Sequence, residues 1–197
     1  METALLSNVA KTAGNATTAR KLGGVPTWYE TNVDAGAGGS GAGNGAVRTD
    51  GTQRAFTEDQ LKGILVSCYN EGGNPNMIMV NAFNKQKLSG FTGGSTRFDA
   101  AEDRRLITSI DVYESDFGTM QVSPNRFIRG ANGTAAKIGQ DAHILDMEFW
   151  AVSFLRDFSL QTPAQTADAD QRFMVAEYTL ESRNEKASGL ITDLTTS

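Results

Sequence analysis

A chain of 197 residues, 39% apolar and 21% charged, has the composition of one globular domain or two small interleaved ones, neither fibrous nor disordered. Its net charge of −5 argues against a protein that grips nucleic acid through phosphates, because that work needs a basic stripe. The adjacent basic pairs, Arg20-Lys21 and Arg104-Arg105, read as solvated surface. One cysteine, Cys68, forbids an intramolecular disulfide, and no apolar run reaches the ~18 residues of a membrane span.

In chain order, Ala4, Leu5, Leu6, Val9 and Ala13 recur at helical spacing and predict a helix over residues 2–13, stopped by Gly14-Asn15. No capping residue precedes it, which reads as a helix already in progress and so as a chain cut from something longer. METALLSNVAKTA also lacks the basic region and long apolar core of a signal peptide. Gly23-Gly24-Val25-Pro26 predicts a turn, with Thr27-Trp28-Tyr29 extended after it. From Ala35 to Ala46 the chain reads AGAGGSGAGNGA, a low-complexity stretch expected to be a flexible loop with nothing to bury.

Thr57-Glu58-Asp59-Gln60 is a capping box, followed by the apolar stripe Leu61, Ile64, Leu65 and Cys68 and closed by Gly72-Gly73. Pro75 opens a buried strand, Met77-Ile78-Met79-Val80. A second short helix follows, with Asn84 as its cap and Lys85, Gln86 and Lys87 on the wet side.

Arg105 to Arg129 predicts a long β-hairpin. Ile110, Val112 and Glu114 share one face, Asp111 and Tyr113 the other, and Met120 and Val122 repeat the apolar spacing after the turn cluster Ser115-Asp116-Phe117-Gly118. A loop of roughly 3–5 residues and arms of up to about 25 Å are expected. Pro124 stops the second strand, having no amide hydrogen for the ladder. Residues 130–139 read as polar loop, and Ile144 to Met147 as a buried strand. The periodicity of Phe149 to Leu160 does not decide between helix and strand. Thr162 to Ala169 reads as loop, Arg172 to Ser182 as a strand, and Asn184 to Ala187 as the lead into a last short turn or strand at Leu190-Ile191.

Catalytic chemistry finds little to use. Gly36-Ala37-Gly38-Gly39-Ser40-Gly41 is a formal GxGxxG, but a dinucleotide site needs it between a strand and a helix. His143, the sole histidine, lies between Asp141 and Asp146, which invites a general-base role; without a GxSxG elbow, a surface or strand-edge histidine is the simpler reading. Cys68 reads as a small core residue, and Trp28, Trp150, Met77 and Met79 as packing residues. Asp168 and Asp170 alone make a weak cation site, and the chain lacks the clustered His and Cys of transition-metal sites. No catalytic, cofactor-binding or metal residue is assigned, and a protein that works through its surfaces is implied.

Four segments, in order, resemble the major capsid proteins of tailed bacteriophages: ETALLSNVAKTAGNATTARKLGGVPTW (Glu2 to Trp28), CYNEGGNPNMIMV (Cys68 to Val80), DVYESDFGTMQVSPNRF (Asp111 to Phe127) and AEYTLESRNEKASGLITDL (Ala176 to Leu194). The resemblance implies an α+β fold shared with encapsulins. Its peripheral lobe would hold the end of a spine helix, a β-sheet and the long hairpin, beside an axial α/β lobe. Family members carry an N-terminal arm, an extended loop and most of the spine helix upstream of this start, so an N-terminally truncated core is implied.

Four parts follow: residues 1–50, spine-helix end and Gly-rich loop; 51–104, axial-type α/β lobe; 105–130, long hairpin of the peripheral lobe; 131–197, remaining axial and C-terminal strands. The implied function is a structural virion protein of a phage or prophage, self-associating through pentamers and hexamers into an icosahedral shell around double-stranded DNA. DNA contact would be non-specific and no membrane is involved; scaffolding, protease or decoration proteins are further partners. The location implied is the virion, and the host cytoplasm during assembly. The alternatives are an encapsulin-type nanocompartment and a small α/β nucleotide-binding module or enzyme using the Gly-rich loop.

Overall fold

The computed structural model describes residues 1–91, 111–128, 138–164 and 168–196. The fold is mixed α+β: the described residues form three α-helices, a six-stranded sheet and a separate two-stranded ribbon. The helices are α1 (Glu2–Leu6), α2 (Glu58–Asn70) and α3 (Ala82–Ser89). The sheet strands are β1 (Val33–Asp34), β2 (Met77–Val80), β3 (Val112–Ser115), β4 (Gly118–Pro124) and β5 (Ala142–Leu145), and the ribbon is β6 (Trp150–Gln161) with β7 (Phe173–Ser182). The last strand, β8 (Gly189–Ile191), returns to the sheet.

Sheet order is β1-β8-β5-β2-β4-β3, with β1/β8 and β2/β4 parallel and the other neighbours antiparallel. A central strand covered on both faces reads as an unbroken apolar run, and Met77-Ile78-Met79-Val80 behaves so. Ile78 and Val80 enter a core with Leu61, Ile64, Leu65 and Cys68 of α2, Leu88 of α3 and Ile144 of β5. Met77 and Met79 point the other way, toward Tyr29, Leu145, Leu190 and Trp150. The helix–strand–helix unit therefore forms as the sequence predicts. The capping box of α2 is complete, with Thr57 N donating to Gln60 Oε1 (3.0 Å) and Gln60 N to Thr57 Oγ1 (3.4 Å).

Several expectations need correction. The first helix is a single turn, not residues 2–13: Ser7 is extended and its hydroxyl bonds Ala4 O (2.9 Å). Beyond it the backbone finds partners elsewhere, Lys11 N on Gly45 O and Thr12 on Lys21, so tertiary pairing overrides helix propensity. Val25–Thr27 is a 3-10 turn where Thr27-Trp28-Tyr29 reads as extended. The cap of α3 is Asn81, whose side chain accepts from Asn84 N (2.6 Å); Asn84 itself is buried within the helix.

The β3–β4 hairpin has a two-residue turn, Asp116-Phe117, instead of three to five, with Gly118 at φ +144°. Residues 105–110 and 129 of the expected arms, with Arg104-Arg105, lie outside the described residues. The facing also differs: Val112 is exposed, while half-buried Tyr113 stands opposite buried Met120 and packs on the core. Opposed residues on antiparallel strands share a face, so Tyr113, not Val112, continues the Met120–Val122 stripe. The hairpin is the edge of the main sheet, hydrogen-bonded through β4 to β2. Among the described residues the longest β-hairpin is instead β6–β7, so the segment whose periodicity does not decide is a strand of 12 residues.

Candidate functional site

Two places in the structure combine unusual chemistry with unusual exposure. The first is built by the Gly-rich segment, which is packed and not a free linker. Ser40 and Thr49 pair through two backbone bonds of 3.0 Å, Gly43 N bonds Tyr29 O (3.1 Å), and Gly45 N bonds Thr27 O (2.9 Å). Glycine is needed because the backbones touch: a Cβ on Gly36 would collide with the Thr52 carbonyl, and one on Gly51 would stand 2.5 Å from Gly36 O. The expectation of a loop with nothing to bury therefore fails.

What the loop buries is Arg48. Its guanidinium, fully shielded, meets Asp141 (Nη2–Oδ1, 2.8 Å), Asp193 (Nη1–Oδ1, 3.3 Å) and the part-exposed Asp50 (2.8 Å). Asp193 Oδ2 accepts from Gly36 N (3.0 Å), and Arg48 N donates to Asn8 Oδ1 (3.1 Å). One cation thus ties the N-terminal segment, the Gly-rich loop, the entry to β5 and the exit of β8. Burial and the Asp193 charge raise the Asp141 carboxyl to about 7, against the pull of Arg48.

The GxGxxG match has no helix after it, since α2 begins only at Glu58. Its Gly36 amide, a donor a phosphate would use, is taken by the Asp193 carboxylate. His143 is not at the surface or a strand edge: it is fully buried on β5, between β2 and β8, with its ring stacked 6.0 Å from that of Tyr29. Burial and the nearby Arg48 lower its imidazole to about 3. Cys68 is buried on α2 with its thiol pushed up to about 12 by burial, so no thiolate is available. Asp146 is spent on structure, its carboxylate capping the 3-10 turn Met147–Phe149 and accepting from Asn74 N (3.1 Å).

Asp168 and Asp170 are exposed, and Asp170 pairs with Arg172 (3.0 Å). Arg20 and Lys21 are exposed as expected. Trp28 lies under the Lys11 ammonium (5.0 Å), and Trp150 packs on Tyr29 and donates to Ser188 Oγ (3.0 Å). Among the described residues, no group of three or more His, Cys, Asp or Glu is placed to hold a metal ion, and no helix is long and apolar enough to cross a membrane. Sequence reasoning missed Arg48 and Asp193. The only available signal was a lone arginine just after a glycine-rich run, which binds nothing unless the loop folds onto it.

The second place is the β6–β7 arm. Its root is anchored by Leu180 and Trp150 in the second core, but its outer half carries Leu155 (76% exposed), Phe158, Leu160, Phe173 and Met174 (67% exposed) into solvent. Register shifts between Phe154 and Arg156 and between Arg156 and Ser159 break the strict alternation of faces. Apolar side chains therefore emerge without a clean period of two, which is why the sequence pattern is ambiguous here. Two ion pairs lie along the arm and its root, Arg156 with Glu177 and Arg183 with Glu181 (2.9 Å); Ser153 donates to Glu181 (3.0 Å), and Asp157 accepts from the Phe158 amide (2.7 Å). A two-stranded ribbon with an uncovered apolar outer half is unusual on a monomer that works alone.

The model of the SU10 major capsid protein family matches residues 1–195. The chain belongs to that family. No curated protein matches it. As a phage major capsid protein it has a structural role in the virion capsid, and the family carries self-association into a shell as its mode of action. The geometry suits that role: among the described residues, Arg48 and its carboxylates hold the protein's own loops together, and the β6–β7 arm leaves large apolar side chains uncovered.

Proposed function

We propose that this capsid protein associates with copies of itself, through pentamers and hexamers, into an icosahedral shell enclosing double-stranded DNA. The β6–β7 arm is a principal contact. The observation that carries the proposal is the arm's apolar outer half, with Leu155, Phe158, Leu160, Phe173 and Met174 uncovered. Burying such side chains gives about 25 cal/mol per Å² of apolar area removed from water. A net charge of −5 does not oppose the role, since a container need not hold its contents by phosphate contacts. The shared sheet supports a revised division of the chain: α2, α3 and the six strands, hairpin β3–β4 included, form the axial lobe, and the β6–β7 arm belongs to the peripheral lobe. Synthesis and assembly take place in the host cytoplasm, with scaffolding, protease or decoration proteins as accessory partners.

The phage family favours a DNA container over a protein-cargo nanocompartment of the same fold. The occupied Gly36 amide and the carboxylates behind it weigh against a nucleotide module. Negative-stain electron microscopy across concentration and salt tests the proposal: rings, capsomers or shells support it, and a monomer under every condition overturns it. Association should persist or strengthen at high salt, because the contact is apolar and salt screens the arm's exposed carboxylates.

A further inference from the structure

We infer that Asp141 and His143 form a proton-compensating pair that keeps the closure of the Gly-rich loop level across mildly acidic pH. The geometry sets up two opposed errors of charge, two positions apart at the entry to β5. At Asp141 there are too many anions: Asp141, Asp193 and Asp50 share one guanidinium, Arg48, and Asp141 Oδ2 is buried without a hydrogen-bond partner. At His143 a cation has no place. The ring is fully buried, neither nitrogen has a hydrogen-bond partner, and Arg48 already supplies positive charge nearby.

The groups facing the pair are few. Asp141 pairs with Arg48, feels the charges of Asp50 and, from the segment after β8, of Asp193, which share that guanidinium, and in turn acts on the Tyr29 hydroxyl. His143 meets the Tyr29 ring and the field of Arg48, and its register partners, Met79 on β2 and Leu190 on β8, carry no charge.

The two residues pull stability in opposite directions. The carboxyl is raised from an ordinary value of 3.8 to about 7, so between those limits the folded protein holds a proton that the unfolded chain has released. Stability from this group is greatest at low pH and falls as pH rises toward 7. The imidazole is lowered from 6.5 to about 3, so between those limits the unfolded chain holds a proton that the folded protein refuses. Stability from this group falls as pH drops. From about pH 4 to 6.5 the slopes oppose, and each uncompensated group would change the folding equilibrium up to about tenfold per pH unit.

Denaturant unfolding of the parent, Asp141→Asn, His143→Gln and the double variant, from pH 4 to 7.5, tests the pair. Relative to the parent, Asp141→Asn should gain stability with rising pH, and His143→Gln should gain it with falling pH. The double variant should return to the parent's slope. Single variants whose pH profiles run parallel to the parent's overturn the pairing. Should either variant not fold, NMR of the parent decides. The chain's only histidine should show no titration in the folded protein between pH 4 and 8, while the Asp141 carboxyl carbon titrates near 7. An imidazole midpoint near 6.5, or an Asp141 midpoint below 5, contradicts the inference.

Discussion

The protein contains two β-hairpins that answer the same sequence question differently. The β3–β4 hairpin is short, with a two-residue turn, and is absorbed into the main sheet: β4 pairs with β2, and Met120 and Val122 are buried. The β6–β7 hairpin is long, pairs only with itself among the described residues, and leaves most of its outer apolar side chains in water. A hairpin with a third strand at its edge and a core beneath it is complete within one chain. One anchored in a core only at its root leaves its outer half open to a partner.

Substitutions should separate the two. The largest effect on folding is expected at Met120→Ala, which removes a fully buried side chain and should cost about 2–5 kcal/mol in denaturant unfolding. A loss below ~1 kcal/mol would mean that β3–β4 is less embedded than described. Gly118→Ala comes next. At φ +144° an L side chain is strained, and a cost of about 1–3 kcal/mol is expected in thermal or denaturant melts. Thr57→Ala, which removes the α2 cap, should cost ~1 kcal/mol and leave association unchanged. The smallest effect on folding should come from the arm: Leu155→Ser should leave monomer stability within about 0.5 kcal/mol, because the side chain is exposed. If Leu155→Ser instead unfolds the protein, the arm packs on its own body and the contrast between the hairpins is lost.

Much of the fold was legible because local signals agreed with tertiary placement. The capping box, the Leu61–Cys68 stripe and the Met77–Val80 run each fixed an element, since covered strands must be apolar on both faces. The segments resembling phage capsid proteins led to the family that the match over residues 1–195 establishes. Three features were not legible, each for a physical reason. Residues 8–13 are helical by propensity, but their hydrogen bonds go to the Gly-rich loop and to Lys21. The Gly-rich run looks like a linker because glycine codes both for freedom and for close backbone approach, and only Arg48 and Asp193, 145 positions apart, decide which. The free arm hides its period because bulges shift its faces. As a result, the hairpin with the clearest sequence pattern is the one already satisfied, and the one with the poorest pattern is available for partners.

Sedimentation velocity of the parent against a Leu155→Ser/Phe158→Ser variant, over a wide range of protein concentration, tests most directly whether the β6–β7 arm is the surface through which copies associate. The account predicts concentration-dependent multimers for the parent and a monomer for the variant, with matching thermal melts of the two monomers. Identical sedimentation of parent and variant, with the parent associating, would contradict it.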